Sequence, residues 1–252
     1  LSNRWQSEST EGIDIMLSLD ISGTMLAEDL KPNRLEAAKE VATKFIADRP
    51  DDNIGLVVFA GESFTQCPLT TDHGVLINLL NAVKFGVIED GTAIGLGLAN
   101  AVNRIKDSQA KSKVIILLTD GSNNRGDIAP LTAAEIAKKF GIRVYTIAVG
   151  RHGMAPYPFQ TPMGIQYQNV PVEIDEDVLQ QIAKMTGGSF FRATDNVTLS
   201  AIYGEIDQME KTKLQVREYK KRNEEFFPYL LTAIVLLILE ILIRNTLLRR
   251  LP

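Results

Sequence analysis

The chain has 252 residues, 45% of them hydrophobic and 23% charged, which are values of a folded globular protein. A net charge of −4, without basic residues interleaved with aromatics through the body of the chain, argues against nucleic-acid binding. One cysteine (Cys67) and two distant histidines (His73, His152) exclude an internal disulfide, a zinc cluster and a Ser-His-Asp triad.

Residues 1–12 form a polar lead-in without a signal peptide. Because the chain begins at Leu1 and not at Met, it is expected to be a processed or trimmed piece. Ile13–Leu19 is a mainly apolar run and reads as a buried strand. It opens into Asp20-Ile21-Ser22-Gly23-Thr24. Short oxygen-bearing side chains at alternate positions, where a strand becomes a loop, can converge on one hard cation. Mg²⁺ takes oxygen ligands in near-octahedral geometry and keeps several waters. One carboxylate and two hydroxyls would hold it and leave positions open. That is chemistry for capturing a carboxylate and not for breaking a bond. Taken singly, Asp20 and Ser22 are equally a turn or a helix cap. Asp14 and Asp29 read as solvated or capping residues.

Asn33–Asp48 predicts a helix with Leu35, Ala38, Ala42, Phe45 and Ile46 on one face. Ile54–Ala60 is a strand, with Ser63–Cys67 beside it as an antiparallel edge, and Asp72–Val83 is helical. Cys67 is expected as a partly buried structural thiol. Asp90-Gly91-Thr92-Ala93 precedes a helix over Ala93–Ile105, which places Thr92 on a loop or at a helix start. Gly95 and Gly97 fall inside that helix and not in a strand-to-helix loop, so they predict close packing and not a dinucleotide site. Val114–Thr119 is a second apolar strand, ending in Asp120. Pro130–Phe140 is a helix stopped by Gly141, and Ile142–Val149 is a strand. Arg151–Val170 carries three prolines and three aromatics. It is either an Ω-loop or hairpin packed by its own aromatics, or a specificity loop or subunit contact on the same edge as Asp20. Glu176–Thr186 is helical, Ser189–Arg192 is a short last strand, and Val197 onward is helical.

Phe226–Ile243 has only Thr232 and Glu240 as clearly polar members, and its 18 residues span roughly 27 Å as a helix. It predicts a transmembrane helix over 226–248, after a charged helical stalk over 211–225 and before a short tail over 249–252. Strands alternating with amphipathic helices predict an α/β fold, a doubly wound and mostly parallel sheet covered on both faces, over 13–210.

The set Asp20, Ser22, Thr24, Thr92 and Asp120 resembles the metal-ion-dependent adhesion site of von Willebrand factor A domains: Asp-x-Ser-x-Ser, a distant Thr, a distant Asp. Thr24 replaces the usual third Ser and keeps the hydroxyl. Further stretches resemble the Bat proteins of bacterial aerotolerance operons, BatA-like members in particular. They are Thr10–Ile15, Gly153–Pro158, Pro171–Asp175, Thr186-Gly187-Gly188 and Leu248–Pro252. The resemblance implies a Rossmann-like fold and no enzyme activity. It implies a divalent cation, Mg²⁺ with Mn²⁺ or Ca²⁺ as alternatives, at the five residues. It implies partners among other Bat proteins and a MoxR-type AAA+ ATPase, a lipid bilayer, and no nucleic acid. It also implies a membrane segment upstream of the lead-in over 1–12, a bacterial inner membrane with the domain on the periplasmic side, and a short cytoplasmic tail. Local charge points the other way, because the basic residues of 211–222 outnumber the three arginines after Ile243. The orientation here follows the resemblance. Two other readings are a phosphatase with Asp20 as nucleophile, which the Ser at position 22 disfavours, and a structural subunit whose metal site stays empty.

Overall fold

The structure is a computed structural model that describes residues 12–162, 164–223 and 226–246. Two compact units are present, one ending at Asp207 and one beginning at Gln208. In the first, strands β1 (Asp14–Asp20), β2 (Asn53–Phe59), β3 (Ser63–Thr70), β4 (Lys113–Thr119), β5 (Arg143–Val149) and β8 (Phe190–Ala193) form one sheet. Their order is β3-β2-β1-β4-β5-β8. All neighbours are parallel except β3, which pairs antiparallel with β2 through two register shifts. Pro68 lies within β3.

The strands form where the sequence is apolar on both faces. Every residue of β1 is buried, as are all but the first of β2, β4 and β5. Helices α3 (Ile94–Ile105), α4 (Pro130–Lys139) and α5 (Glu176–Thr186) cover one face. Leu98, Ala133, Ala137 and Ile182 of these helices meet Met16, Phe59, Ile115 and Val144 in one cluster. Ile15, Leu17 and Leu19 of β1 point to the other face. Helix α1 (Arg34–Ala47), α2 (His73–Asn81) and the start of α6 (Asn196–Asn223) cover it, with Phe45 and Tyr203 rings 4.9 Å apart. Asn33 caps α1 by accepting from the Glu36 amide at 2.8 Å, and Gly187, at φ 76°, closes α5 in the left-handed conformation.

The segment 151–170 is a hairpin and not an Ω-loop. Strand β6 (Gly153–Thr161) pairs antiparallel with β7 (Gly164–Val172) as a separate two-stranded sheet. Asp14 is buried, contrary to the solvated reading. It accepts from Asn53 Nδ2 at 2.7 Å and from the Ser108 hydroxyl, which ties β1 to the start of β2 and to the loop between α3 and β4. Cys67 is buried, more fully than the partly buried thiol expected.

The second unit contains the rest of α6 and helix α7 (Phe226–Thr246). The described side chains of α7 run from Tyr229 to Arg244, roughly 24 Å at the helical rise. Among the described residues no helix is long and apolar enough to cross a membrane. The expected tail, 249–252, lies outside the described residues.

Candidate metal centre

Strand order reverses between β1 and β4, because β2 lies on one side of β1 and β5 on the far side of β4. Ligands of open α/β sheets bind at such a switch point, beyond the carboxyl ends of the strands. β1 ends at Asp20 and β4 ends one residue before Asp120, so the fold brings both carboxylates to this rim. A short 3₁₀ turn over Gly23–Leu26 carries Thr24 back across it.

The five expected residues lie together. The Ser22 amide donates to Asp20 Oδ1 at 2.9 Å, and the Ser22 and Thr24 hydroxyls are 3.0 Å apart. The Thr24 hydroxyl donates to Asp120 Oδ1 at 2.6 Å. Thr92 sits one residue before the cap of α3, and its Oγ1 would lie 3.3 Å from a Cβ placed on Gly121. Asp20, Ser22, Thr92 and Asp120 are buried, whereas Thr24 is exposed. The rim therefore opens to solvent past Thr24.

Other residues hold this arrangement, and the sequence reading did not mark them. The Thr119 hydroxyl donates to Asp20 Oδ2 at 2.6 Å. Asn124 accepts from the Thr92 amide at 2.9 Å, while its own amide donates to the Thr92 carbonyl at 3.0 Å. Asp90 accepts from the Gly23 amide at 2.8 Å and so braces the 3₁₀ turn. Arg34 Nη1 donates to Asp120 Oδ2 at 2.6 Å, and its Nε and Nη2 form a two-pronged pair with Asp29 at 2.7 Å each. Asp29 is thus an ion-pair partner and not a solvated cap, and it also accepts from the Arg151 amide at 2.8 Å.

The charges are poorly balanced. Burial, then the negative charge of Asp120, pushes the Asp20 carboxyl up to about 7, against hydrogen bonds from Ser22 and Thr119 that favour ionisation. Burial also raises Asp120, and the Arg34 guanidinium only partly opposes it. For Asp29 the hydrogen bonds from Arg34 and the Arg151 amide outweigh burial and hold it below the usual carboxylate range. Among the described residues no cation pairs with Asp20. Nor do three or more His, Cys, Asp or Glu side chains gather to hold a metal among the described residues. The donor set is two carboxylates and three hydroxyls, which suits a hard oxygen-seeking divalent ion and not a soft one. A cavity of about 290 Å³ opens from Thr24, Thr92 and Asp120 to Val170, Pro171, Val172 and Glu173 of and after β7.

Residues 14–205 match the model of the von Willebrand factor type A domain. The chain belongs to the von Willebrand factor A family. An uncharacterised protein of Borreliella burgdorferi is 30% identical over 229 residues, 90% of this chain and 67% of that protein. A UPF0353 protein of Mycolicibacterium paratuberculosis is 31% identical over 206 residues, 77% of this chain, and the match spans only 59% of that relative's length. Two crystal structures resemble this von Willebrand factor A domain at a TM-score of 0.68 and 32% identity. One is of an aerotolerance-related membrane protein of Bacteroides fragilis, covering 78% of this chain and all of that one. The other is of BatB from Bacteroides thetaiotaomicron, covering 79% and all of that one. The likeness to Bat proteins expected from the sequence is therefore met, through structures of the BatB type.

Proposed function

We propose that the protein is a membrane-anchored interaction module that binds a divalent cation, Mg²⁺ first among candidates, and takes an acidic residue of a partner protein. The observation that carries this is Asp20: a fully buried carboxylate without a cationic partner among the described residues, hydrogen-bonded by Ser22 and by the Thr119 hydroxyl and facing a second buried carboxylate, Asp120, on which the Thr24 hydroxyl sits. Such a group is costly unless a positive charge joins it. Asp20, Ser22 and Thr24 would hold the ion, and Thr92 and Asp120 would contact it directly or through water. Bound there, the ion supplies a Lewis-acid position for a carboxylate. The chain's own residues orient the ligands, with Thr119 fixing Asp20 and Arg34 fixing Asp120. Neither nucleophile nor general acid enters this reading, which is that of a non-enzymatic module.

The wider setting rests on the Bat relatives and on α7. The apolar side chains of α7 from Leu230 to Ile243 are exposed, and the Thr232 hydroxyl is satisfied by the Tyr229 carbonyl at 2.9 Å. We read this helix as the anchor, in a bacterial inner membrane with the domain on the periplasmic side. On this reading the partners are other Bat proteins and a MoxR-type ATPase, in a complex serving oxygen or stress tolerance.

Titration calorimetry of the full chain in detergent micelles tests the core of the proposal. Magnesium should give a saturable heat that Asp20→Ala abolishes while the circular dichroism spectrum is kept. No heat from the unchanged chain would leave a purely structural subunit.

A further inference from the structure

The β6–β7 hairpin has no role in holding the ion, yet it forms the far wall of the same cavity. In an antiparallel pair, residues opposite one another share a face. Ala155 lies opposite Val170 and Gly153 opposite Val172, so Ala155, Tyr157, Phe159, Val170 and Val172 lie on one face. Ala155 is fully buried, so this face is turned toward the domain. It is anchored there by the Glu28 amide, which donates to the Pro156 carbonyl at 2.9 Å, and by the Arg151 amide on Asp29. The Tyr157 and Phe159 rings are 4.9 Å apart. Val170, Pro171 and Val172 line the cavity opposite Thr24, Thr92 and Asp120, and the half-buried Tyr157 and partly exposed Phe159 continue the Val170 face beyond it.

A carboxylate docked at the rim carries its neighbouring residues against this wall. At about 290 Å³ the cavity is at the small end for ligand pockets, which run to roughly 300–1,000 Å³. That suits side chains of an extended segment and not a cofactor. Glu173 lines the same cavity, and its charge works against a second acidic side chain. We propose that the hairpin is a specificity wall: the partner is an extended protein segment with a single Asp or Glu, flanked by a large apolar side chain that packs on Tyr157, Phe159 and Val170. This rests on the function proposed above and adds what the partner must carry beside its carboxylate.

The test uses the full chain in micelles with saturating magnesium. The probes are three fluorescent Gly/Ser peptides with Phe-Asp, Ser-Asp or Phe-Asn at the centre. Phe-Asp should bind about tenfold tighter than Ser-Asp, the effect of burying one large apolar side chain. Phe-Asn should not bind. Phe159→Ser should reduce the Phe-Asp advantage to near onefold with Ser-Asp affinity as the reference. Val170→Thr, which keeps shape and adds a hydroxyl, should act in the same direction. Equal affinities for Phe-Asp and Ser-Asp, or no peptide binding at all, would overturn the specificity wall while a magnesium heat leaves the metal reading standing. Loss of both the heat and the binding in the unchanged chain would overturn the two together.

Discussion

Asp20 is held where burial resists its charge, and this sets a pH dependence. Its folded carboxyl is raised from the ordinary 3.8 to about 7, so between those values the folded chain binds more protons than the unfolded one. Stability contributed by the protonated group is present below the unfolded value and is lost as pH rises through the folded one. The metal-free protein should therefore lose thermal stability between about pH 4 and pH 7. Saturating magnesium should flatten that loss, because binding takes the proton's place. Asp20→Asn should flatten it without metal and raise metal-free stability by roughly 1–3 kcal/mol at pH 7 and above, where the buried carboxylate would otherwise ionise, with no gain at pH 4. Thermal unfolding across this pH range, with and without chelator, checks all three. A metal-free profile identical in Asp20→Asn and the unchanged chain would contradict the burial argument. At this scale the sequence was legible where oxygens alternate after an apolar run, as at Asp20, Ser22 and Thr24. It was silent on Arg34 and Asp29, five residues apart with no strand end to mark them. Thr119 was hidden as the last residue of an apolar strand, although a hydroxyl beside Asp120 is a signal that could have been read.

Elements carry the next level of reasoning. Gly95 of α3 packs so closely on the chain after β4 that a Cβ there would meet the Ile128 carbonyl oxygen at 1.8 Å. Gly97 is pressed against the Phe59 ring, where a Cβ would come within 2.5 Å. These glycines serve packing, as their place within a helix suggested, and they bring α3 down so that Thr92 reaches the rim. Gly95→Ala should cost about 2–3 kcal/mol by overpacking. Urea denaturation should show a lower midpoint at unchanged slope, and magnesium affinity should fall with it. An unchanged midpoint would mean that the close approach is not needed. Most strands and helices were legible from periodicity to within a residue or two, because both sheet faces are covered and the strands read as unbroken apolar runs. The hairpin was legible only as one of several readings of 151–170, because its prolines and aromatics carry no clean alternation that separates paired strands from an Ω-loop. Asp14 misled for a related reason, since its partners Asn53 and Ser108 lie 39 and 94 residues away.

For the whole molecule, the anchor proposal makes a separable prediction. The full chain should sediment with membranes and resist alkaline carbonate. A chain ended at Asp207, the limit of the first compact unit, should stay in the supernatant and keep its magnesium heat. Carbonate release of the full chain would refute the anchor and leave the metal site untouched. The two borders of the six-stranded sheet bear on how copies or partners can gather. On one side β3 runs against its neighbour β2, slips register twice and carries Pro68, which has no amide hydrogen to donate. On the other, β8 offers only four residues. Neither flank provides the long, regular row of backbone donors and acceptors on which a foreign strand could zip. Polymerisation by strand addition is thereby discouraged, and lasting assembly falls to side-chain surfaces that can be switched by ions or sequence.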